Sequence, residues 1–181
     1  MHYRRLGTSN LQVSALCLGT MMFGDQTDQA EAAAIVAHAP AAGVNFIDTA
    51  DVYTHGASES MVGALIQPHR HDWVLATKLG NAMSKRPNEG QYSRIWMLRE
   101  VDASLRRLQT DHIDILYLHR DFPGIDLEEP LRALDDLVRA GKIRHWGLSN
   151  FRGWRIAEMV HGAKRLNMPG PVVCQPYYNL L

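Results

Sequence analysis

The feature that most constrains this chain is an alternation. Six short apolar, β-rich runs, at residues 16–20, 44–50, 73–78, 113–119, 143–149 and 172–178, are separated by longer stretches with helical periodicity. That order predicts βαβ units around a parallel sheet, and the near-continuous apolar character of several runs fits strands covered on both faces. The intervening stretches carry helix signals. Asp28 with Glu31, and Asp126 with Glu129, have capping-box spacing, and Ser58 and Ser93 are further candidate N-caps. After Ser93, the residues Ile95, Leu98, Val101, Leu105 and Leu108 recur at three- and four-residue steps and predict one apolar helix face. Leu131, Leu134, Leu137 and Val138 repeat the pattern. Gly43 and Gly141 mark helix-to-strand turns, and Pro40 is expected to shorten or kink the end of the first helix. The longest expected loop is 80–92.

Composition bounds what such a fold can be used for. The 181 residues are enough for one domain, 1–181, with a sizeable core, and 46% are hydrophobic. Lys plus Arg and Asp plus Glu number 19 each, so no net charge favours nucleic acid or an anionic membrane as partner. No stretch reaches the roughly 18 apolar residues of a membrane span, and no apolar run follows the charged N-terminus. Cys17 and Cys174 lie far apart in apolar surroundings and read as reduced core fillers, so a cytoplasmic location is expected.

The polar residues fall at the ends of the runs. Asp48 follows the apolar Val44–Ile47 stretch, Lys78 closes the third run, His119 the fourth and Ser149-Asn150 the fifth, with Gln175 on the sixth. In a parallel barrel the C-terminal strand ends share one rim, where active sites form. Taken singly, Asp48 reads as a helix cap, Lys78 as a solvated strand end and His119 as a satisfied core histidine. As a set they favour chemistry.

Tyr53, five residues after Asp48, can return over the same rim. A free tyrosine ionises near pH 10 and is a weak acid at neutrality. An adjacent ammonium favours the phenolate, by about 4 kcal/mol for unit charges about 4 Å apart at an effective dielectric of about 20. Lys78 is therefore expected to activate Tyr53, with Asp48 orienting Lys78 and His119 donating a hydrogen bond to a substrate oxygen. A tyrosine acid suits protonation of an alkoxide. The accompanying hydride needs a reduced nicotinamide, since no side chain supplies one. No G-x-G-x-x-G fingerprint occurs, so a dinucleotide is expected across the barrel mouth instead of in a Rossmann site.

Over almost its whole length the chain resembles the aldo-keto reductase superfamily. The resemblance rests on the segments 3–7, 18–21, 43–53, 76–78, 104–108, 114–119 and 147–151, and on Ser58-Glu59. It implies a (β/α)8 TIM-type barrel of which about six β/α units are present. It also implies an NADP-dependent carbonyl reductase with Tyr53 as acid, Asp48 and Lys78 as its tuning pair and His119 as the orienting residue. Ser149, Asn150 and Gln175 are implied to hold the nicotinamide carboxamide, with Thr20 and Met21 near the cofactor. NADPH is the implied cofactor, with NADH open. The departure is C-terminal, because the sequence stops at Asn179-Leu180-Leu181, just after the sixth run. Strands seven and eight, an aromatic stacking residue and a basic 2′-phosphate loop are then expected to be missing. A longer protein, a completing chain and a nonfunctional fragment all fit that ending, and open edges would invite self-association.

Two other readings compete. His69-x-His71 could serve a metal-dependent hydrolase, but it precedes a strand at the opposite rim and has no further ligand spacing. A binding or regulatory protein that kept the scaffold without turnover is the second.

Overall fold

The computed structural model describes residues 1–180. Its centre is a six-stranded, wholly parallel sheet in sequential order: β3 (Leu18–Gly19), β4 (Phe46–Asp48), β5 (Val74–Leu79), β6 (Ile113–Leu118), β7 (Ile143–Ser149) and β8 (Val173–Gln175). Between successive strands run α1 (Gln29–Ala41), α2 (Ala57–Ile66), α3 (Arg94–Leu108), α4 (Glu128–Arg139) and α5 (Gly153–Arg165). This is a curled half-barrel of the (β/α)8 type, with β3 and β8 at its edges. An antiparallel hairpin, β1 (Tyr3–Arg5) with β2 (Gln12–Ser14), precedes it.

The two faces of the sheet have different partners because side chains alternate along a strand. Ile47, Leu75, Leu79, Leu116, Leu118, Trp146 and Leu148 belong to the core shared with the helices. Phe46, Ala76, Ile115 and Tyr117 form a smaller cluster on the concave face, closed below by Val13 of the hairpin with Leu6 and Leu11. Asn45 fastens the hairpin there by accepting from the Ser14 amide at 2.8 Å and donating to the Gln12 carbonyl at 2.9 Å. Stepping two residues up the concave face leads from Phe46 to Asp48, from Ala76 to Lys78 and from Tyr117 to His119. Apolar floor and polar rim are thus consecutive layers of one face.

Helix packing sets that layer's height. A Cβ on Gly63 of α2 would sit 2.5 Å from the Leu108 backbone, so only glycine allows α2 to lie this close to α3. Gly147 similarly leaves room for the Tyr117 ring, whose Cε1 would be 2.9 Å from an added Cβ. In α4, Leu131, Leu134 and Leu137 are buried with Val138 half-buried, as the periodicity predicts. In α3 the buried stripe includes Trp96, Met97, Val101 and Leu108, with Leu98 and Leu105 partly covered, whereas Ile95 faces solvent.

Several local expectations change. The hairpin is absent from the six runs because it is short and its first strand is exposed and charged. The first and last runs shrink to Leu18–Gly19 and Val173–Gln175, leaving Tyr177 and Tyr178 exposed. Asp28 caps α1 through the Glu31 amide at 2.9 Å, but α4 begins at Glu128 with no side-chain cap, so Asp126 plays no such part. Ser93 occupies the cap position of α3 without making a side-chain cap bond. Ser58 lies inside α2, buried. Pro40 sits in the last turn of α1, which ends one residue later, and Gly43 and Gly141 have positive φ as the turns require. Cys17 and Cys174 are exposed, not core, because each flanks or lies in an edge strand with no covering neighbour. Among the described residues no helix is long and apolar enough to cross a membrane.

Candidate active site

Three backbone bonds draw the strand ends together at the rim. The Thr20 amide donates to the Asp48 carbonyl at 3.0 Å, the Asp51 amide to that of Lys78 at 3.0 Å, and the His119 amide to that of Leu79 at 2.9 Å. The ladder thus continues past the strands into the loops that carry function. After Asp48 the chain makes a short 3-10 turn at Tyr53–Gly56 in which Thr54 and His55 adopt left-handed conformations. Thr54 donates its hydroxyl to the Phe23 carbonyl at 3.2 Å. The turn brings Tyr53 back over the concave face.

The centre is Lys78, 1% exposed. Its ammonium donates to Asp48 Oδ2 at 2.5 Å, to the Thr49 carbonyl at 3.0 Å and to Tyr53 Oη at 3.0 Å. Three donors and three acceptors leave no unpaired N–H on the buried cation. Burial pushes the Asp48 carboxyl above its ordinary value, opposed by the Lys78 charge and by hydrogen bonding with Lys78 and Gln175. Asp48 Oδ1 is buried and has no hydrogen-bond partner among the described residues. The ammonium also lies 4.8 Å from the Tyr53 ring centroid.

His119 meets Tyr53 edge to face, with centroids 5.9 Å apart and planes at 82°. Its pKa is depressed to about 4, first by burial and then by the charges of Lys78 and Arg120, so the imidazole is neutral near pH 7. Its Nδ1 is buried without a partner among the described residues. Asp48, Tyr53, Lys78 and His119, spread over 72 positions of sequence numbering from 48 to 119, converge here.

The remaining predicted residues form two flanks. Ser149 Oγ donates to the Gln175 carbonyl at 3.1 Å. Asn150, at φ +54°, donates Nδ2 to Ser149 Oγ at 3.0 Å and to the His119 carbonyl at 3.2 Å, which leaves its Oδ1 as an acceptor. On the other flank Met21 is 54% exposed. Thr20 is fully buried, its hydroxyl on the Asp48 carbonyl at 3.0 Å and beside Ser58 Oγ at 3.0 Å, so it braces the rim from below. His69 and His71 lie in the 3-10 segment Gln67–Asp72 leading into β5, at the opposite end of the sheet. Among the described residues no group of three His, Cys, Asp or Glu could hold a metal ion.

A second buried charge group supports the site from behind and was not identified from sequence. Glu59 accepts from Thr77 Oγ1 at 2.6 Å and from Arg107 Nε at 2.6 Å, and Arg107 also reaches Glu100 at 2.5 Å. A Cβ on Gly56 would come within 2.7 Å of Arg107 Cδ, so the guanidinium stem lies against the turn that carries Tyr53. Asp51 is fully buried with both carboxyl oxygens unpartnered among the described residues. Burial, with Glu59 and Glu100 nearby, raises its pKa well above the ordinary value. The signal available in sequence was three acids and an arginine in predicted helices and loops, with nothing to say that they share one interior.

Residues 15–181 match the family model described as the aldo/keto reductase family. The chain is similar to a protein of Arabidopsis thaliana named as a probable voltage-gated potassium channel subunit beta, 38% identical over 99% of this chain and 56% of that protein. It is also similar to the uncharacterised oxidoreductase YqkF of Bacillus subtilis, 40% identical over 88% of this chain and 52% of that protein. Aldo-keto reductase AMT2 of Alternaria alternata is 34% identical over 99% of this chain and 58% of its own length. The chain spans about half the length of the curated relatives it matches.

Proposed function

Because the chain belongs to the aldo/keto reductase family, we propose that it serves a nicotinamide-dependent oxidoreductase that reduces an aldehyde or ketone to the alcohol, with Tyr53 as general acid. The observation that carries this reading is the Lys78 ammonium 3.0 Å from Tyr53 Oη, itself held by Asp48. A reduced nicotinamide, NADPH by family habit, supplies the hydride when bound. The donor set at the mouth suits its neutral carboxamide: Gln175 and Asn150 are amides, and the free Oδ1 of Asn150 is an acceptor for an NH2 group.

The chain's own residues then act on the carbonyl oxygen. Neutral His119 donates a hydrogen bond that orients and polarises it. As negative charge develops there, Tyr53 Oη transfers its proton. The phenolate left behind is stabilised by the adjacent Lys78 ammonium, which Asp48 keeps aimed. Exposed residues beside β3 and β8, Cys17 and Cys174 among them, support closure of the mouth by further chain, whether a covalent continuation or a second copy. A cytoplasmic location, where reduced nicotinamide and free thiols coexist, belongs to the same proposal.

The test is NADPH oxidation with a reactive aldehyde, comparing the parent with Tyr53→Phe. Turnover should be abolished in the variant. A phenylalanine variant as active as the parent would remove Tyr53 from the mechanism. A variant lacking turnover but binding a partner as the parent does would separate this reading from that of a binding protein without chemistry, which the intact acid, cation and imidazole disfavour.

A further inference from the structure

Beside the reaction centre a cavity of about 420 Å³ is lined by Asn81, His119, Arg120, Asp121, Asn150 and Arg152. It lies between the C-terminal ends of β5, β6 and β7 and the start of α5. Two guanidiniums face one carboxylate, and that carboxylate is already engaged: Asp121 meets Arg155 Nε at 3.3 Å and Arg152 Nη1 at 3.7 Å. Arg155 is shared in turn with Glu158 at 2.9 Å and the Ile125 carbonyl at 2.6 Å. Among the described residues no carboxylate pairs with Arg120.

Arg120 is nevertheless built in. Its amide donates to Tyr92 Oη at 3.1 Å and its carbonyl accepts from the same hydroxyl at 2.6 Å, so the backbone is fixed by a buried side chain. Its guanidinium lies 5.4 Å from the Phe122 ring centroid, a cation–π contact that consumes none of its N–H donors. The residue directly precedes Asp121 and directly follows His119, the proposed carbonyl-orienting group.

We propose that this cavity is an anion subsite for the substrate, in which Arg120, assisted by Arg152, binds a carboxylate or phosphate group carried by the same molecule whose carbonyl lies at His119 and Tyr53. The favoured substrates are then short oxo acids or phosphorylated aldehydes rather than neutral ones. Guanidinium recognises such groups by paired N–H donors in one plane. The cavity is open to water, which screens the interaction, so a preference of about tenfold in KM is expected, the low end for hydrogen bonds to charged groups. The assignment rests on the carbonyl-reductase reading for its orientation, but the anion site itself does not.

Two measurements separate those dependencies. The first compares KM for succinic semialdehyde and butanal, with NADPH, in the parent and in Arg120→Gln. The parent should favour the anionic aldehyde about tenfold and the variant should lose that ratio. Equal KM values in the parent, or an unchanged ratio when both Arg120→Gln and Arg152→Gln are present, would overturn the proposal. A rise confined to the KM for NADPH would place a cofactor phosphate at Arg120 and overturn the assignment to substrate. The second titrates succinate alone against the 181-residue chain and follows the His119 ring resonances. A saturable shift that Arg120→Gln removes upholds the subsite even if no aldehyde is turned over, in which case the carbonyl reading alone fails. No shift overturns the subsite.

Discussion

Thr77 and Lys78 are neighbours on β5, yet they serve two buried charge groups on opposite faces of the sheet. On the concave side one cation, Lys78, meets one carboxylate, Asp48, and a phenol whose ring faces the mouth. On the convex side one cation, Arg107, binds Glu59 and Glu100, with Asp51 nearby, and Thr77 completes Glu59. The first group is balanced and ends in a phenol. The second gathers three carboxyls around one partly exposed guanidinium, and burial with Glu59 and Glu100 nearby raises the Asp51 pKa well above its ordinary value. Burial alone therefore does not mark a reactive site: the concave group ends in the half-buried Tyr53 phenol, whereas the convex one, with its Arg107 side chain 22% exposed, lies against the turn that carries Tyr53.

The largest effect should come from Tyr53→Phe, which deletes the proposed proton donor while leaving the ring. Reductase turnover should fall by at least about 10²-fold, with the circular dichroism spectrum unchanged. Next, Arg107→Met should cost about 3–5 kcal/mol in urea unfolding, because it strands Glu59 and Glu100 together. Lys78→Met should cost less stability, since Asp48 alone can take up a proton, while losing as much turnover as Tyr53→Phe. Equal unfolding costs for the two would erase the distinction drawn between the groups.

Thr77→Val sharpens the comparison from the acceptor side. It removes one bond to buried Glu59 and should cost about 1–3 kcal/mol, with little change in KM.

The pH dependence has opposite signs at the two sites. For Asp51, a folded pKa raised above the ordinary 3.8 means that the native state holds its proton longer than the unfolded chain. Stability from this group therefore declines as pH rises above about 4, and Asp51→Asn should flatten that decline in urea titrations at successive pH values. For His119, a folded pKa of about 4 against 6.5 means that the unfolded chain protonates first as pH falls. Its contribution is present above pH 6.5 and is lost between there and pH 4, a slope that His119→Gln should remove. If both variants kept the parent's profile, neither group would be a buried titrating site.

Much of the fold was legible because a strand covered on both faces must be apolar almost throughout, and five helices alternate with six such runs. The hairpin was not legible: Tyr3-Arg4-Arg5 is exposed, and its pairing with Gln12-Val13-Ser14 is fixed by Asn45, more than thirty positions away. Capping shows the same division. Asp28 stands directly before α1 and caps it, whereas Asp126 has equivalent spacing but the helix starts two residues later. Cys17 and Cys174 look like core from their apolar neighbours and are exposed because they lie at the sheet's edges.

The candidate residues Asp48, Lys78 and His119 were readable because each puts a charged or titratable group where an apolar run ends, and Tyr53 because it follows Asp48 closely enough to return over the same rim. Ser149 and Asn150 close the fifth run in the same way and Gln175 lies on the sixth, while the cofactor role of all three was implied by the family resemblance. What sequence could not supply was the role of Thr20, whose hydroxyl is turned inward onto Ser58 and the Asp48 carbonyl. Nor could it supply the partnership of Glu59, Glu100 and Arg107, which are separated by up to 48 positions.

By itself, then, the sequence determined that six apolar runs build the parallel sheet and which polar groups stand at its rim, because apolar periodicity and residue type are local properties. Only the tertiary structure decided which charges meet. That depends on strand register and on helix spacing, set at contacts such as Gly63 against Leu108 and Gly56 against Arg107, and it is there that the buried Lys78 becomes the neighbour of a phenol and the partly buried Arg107 a brace.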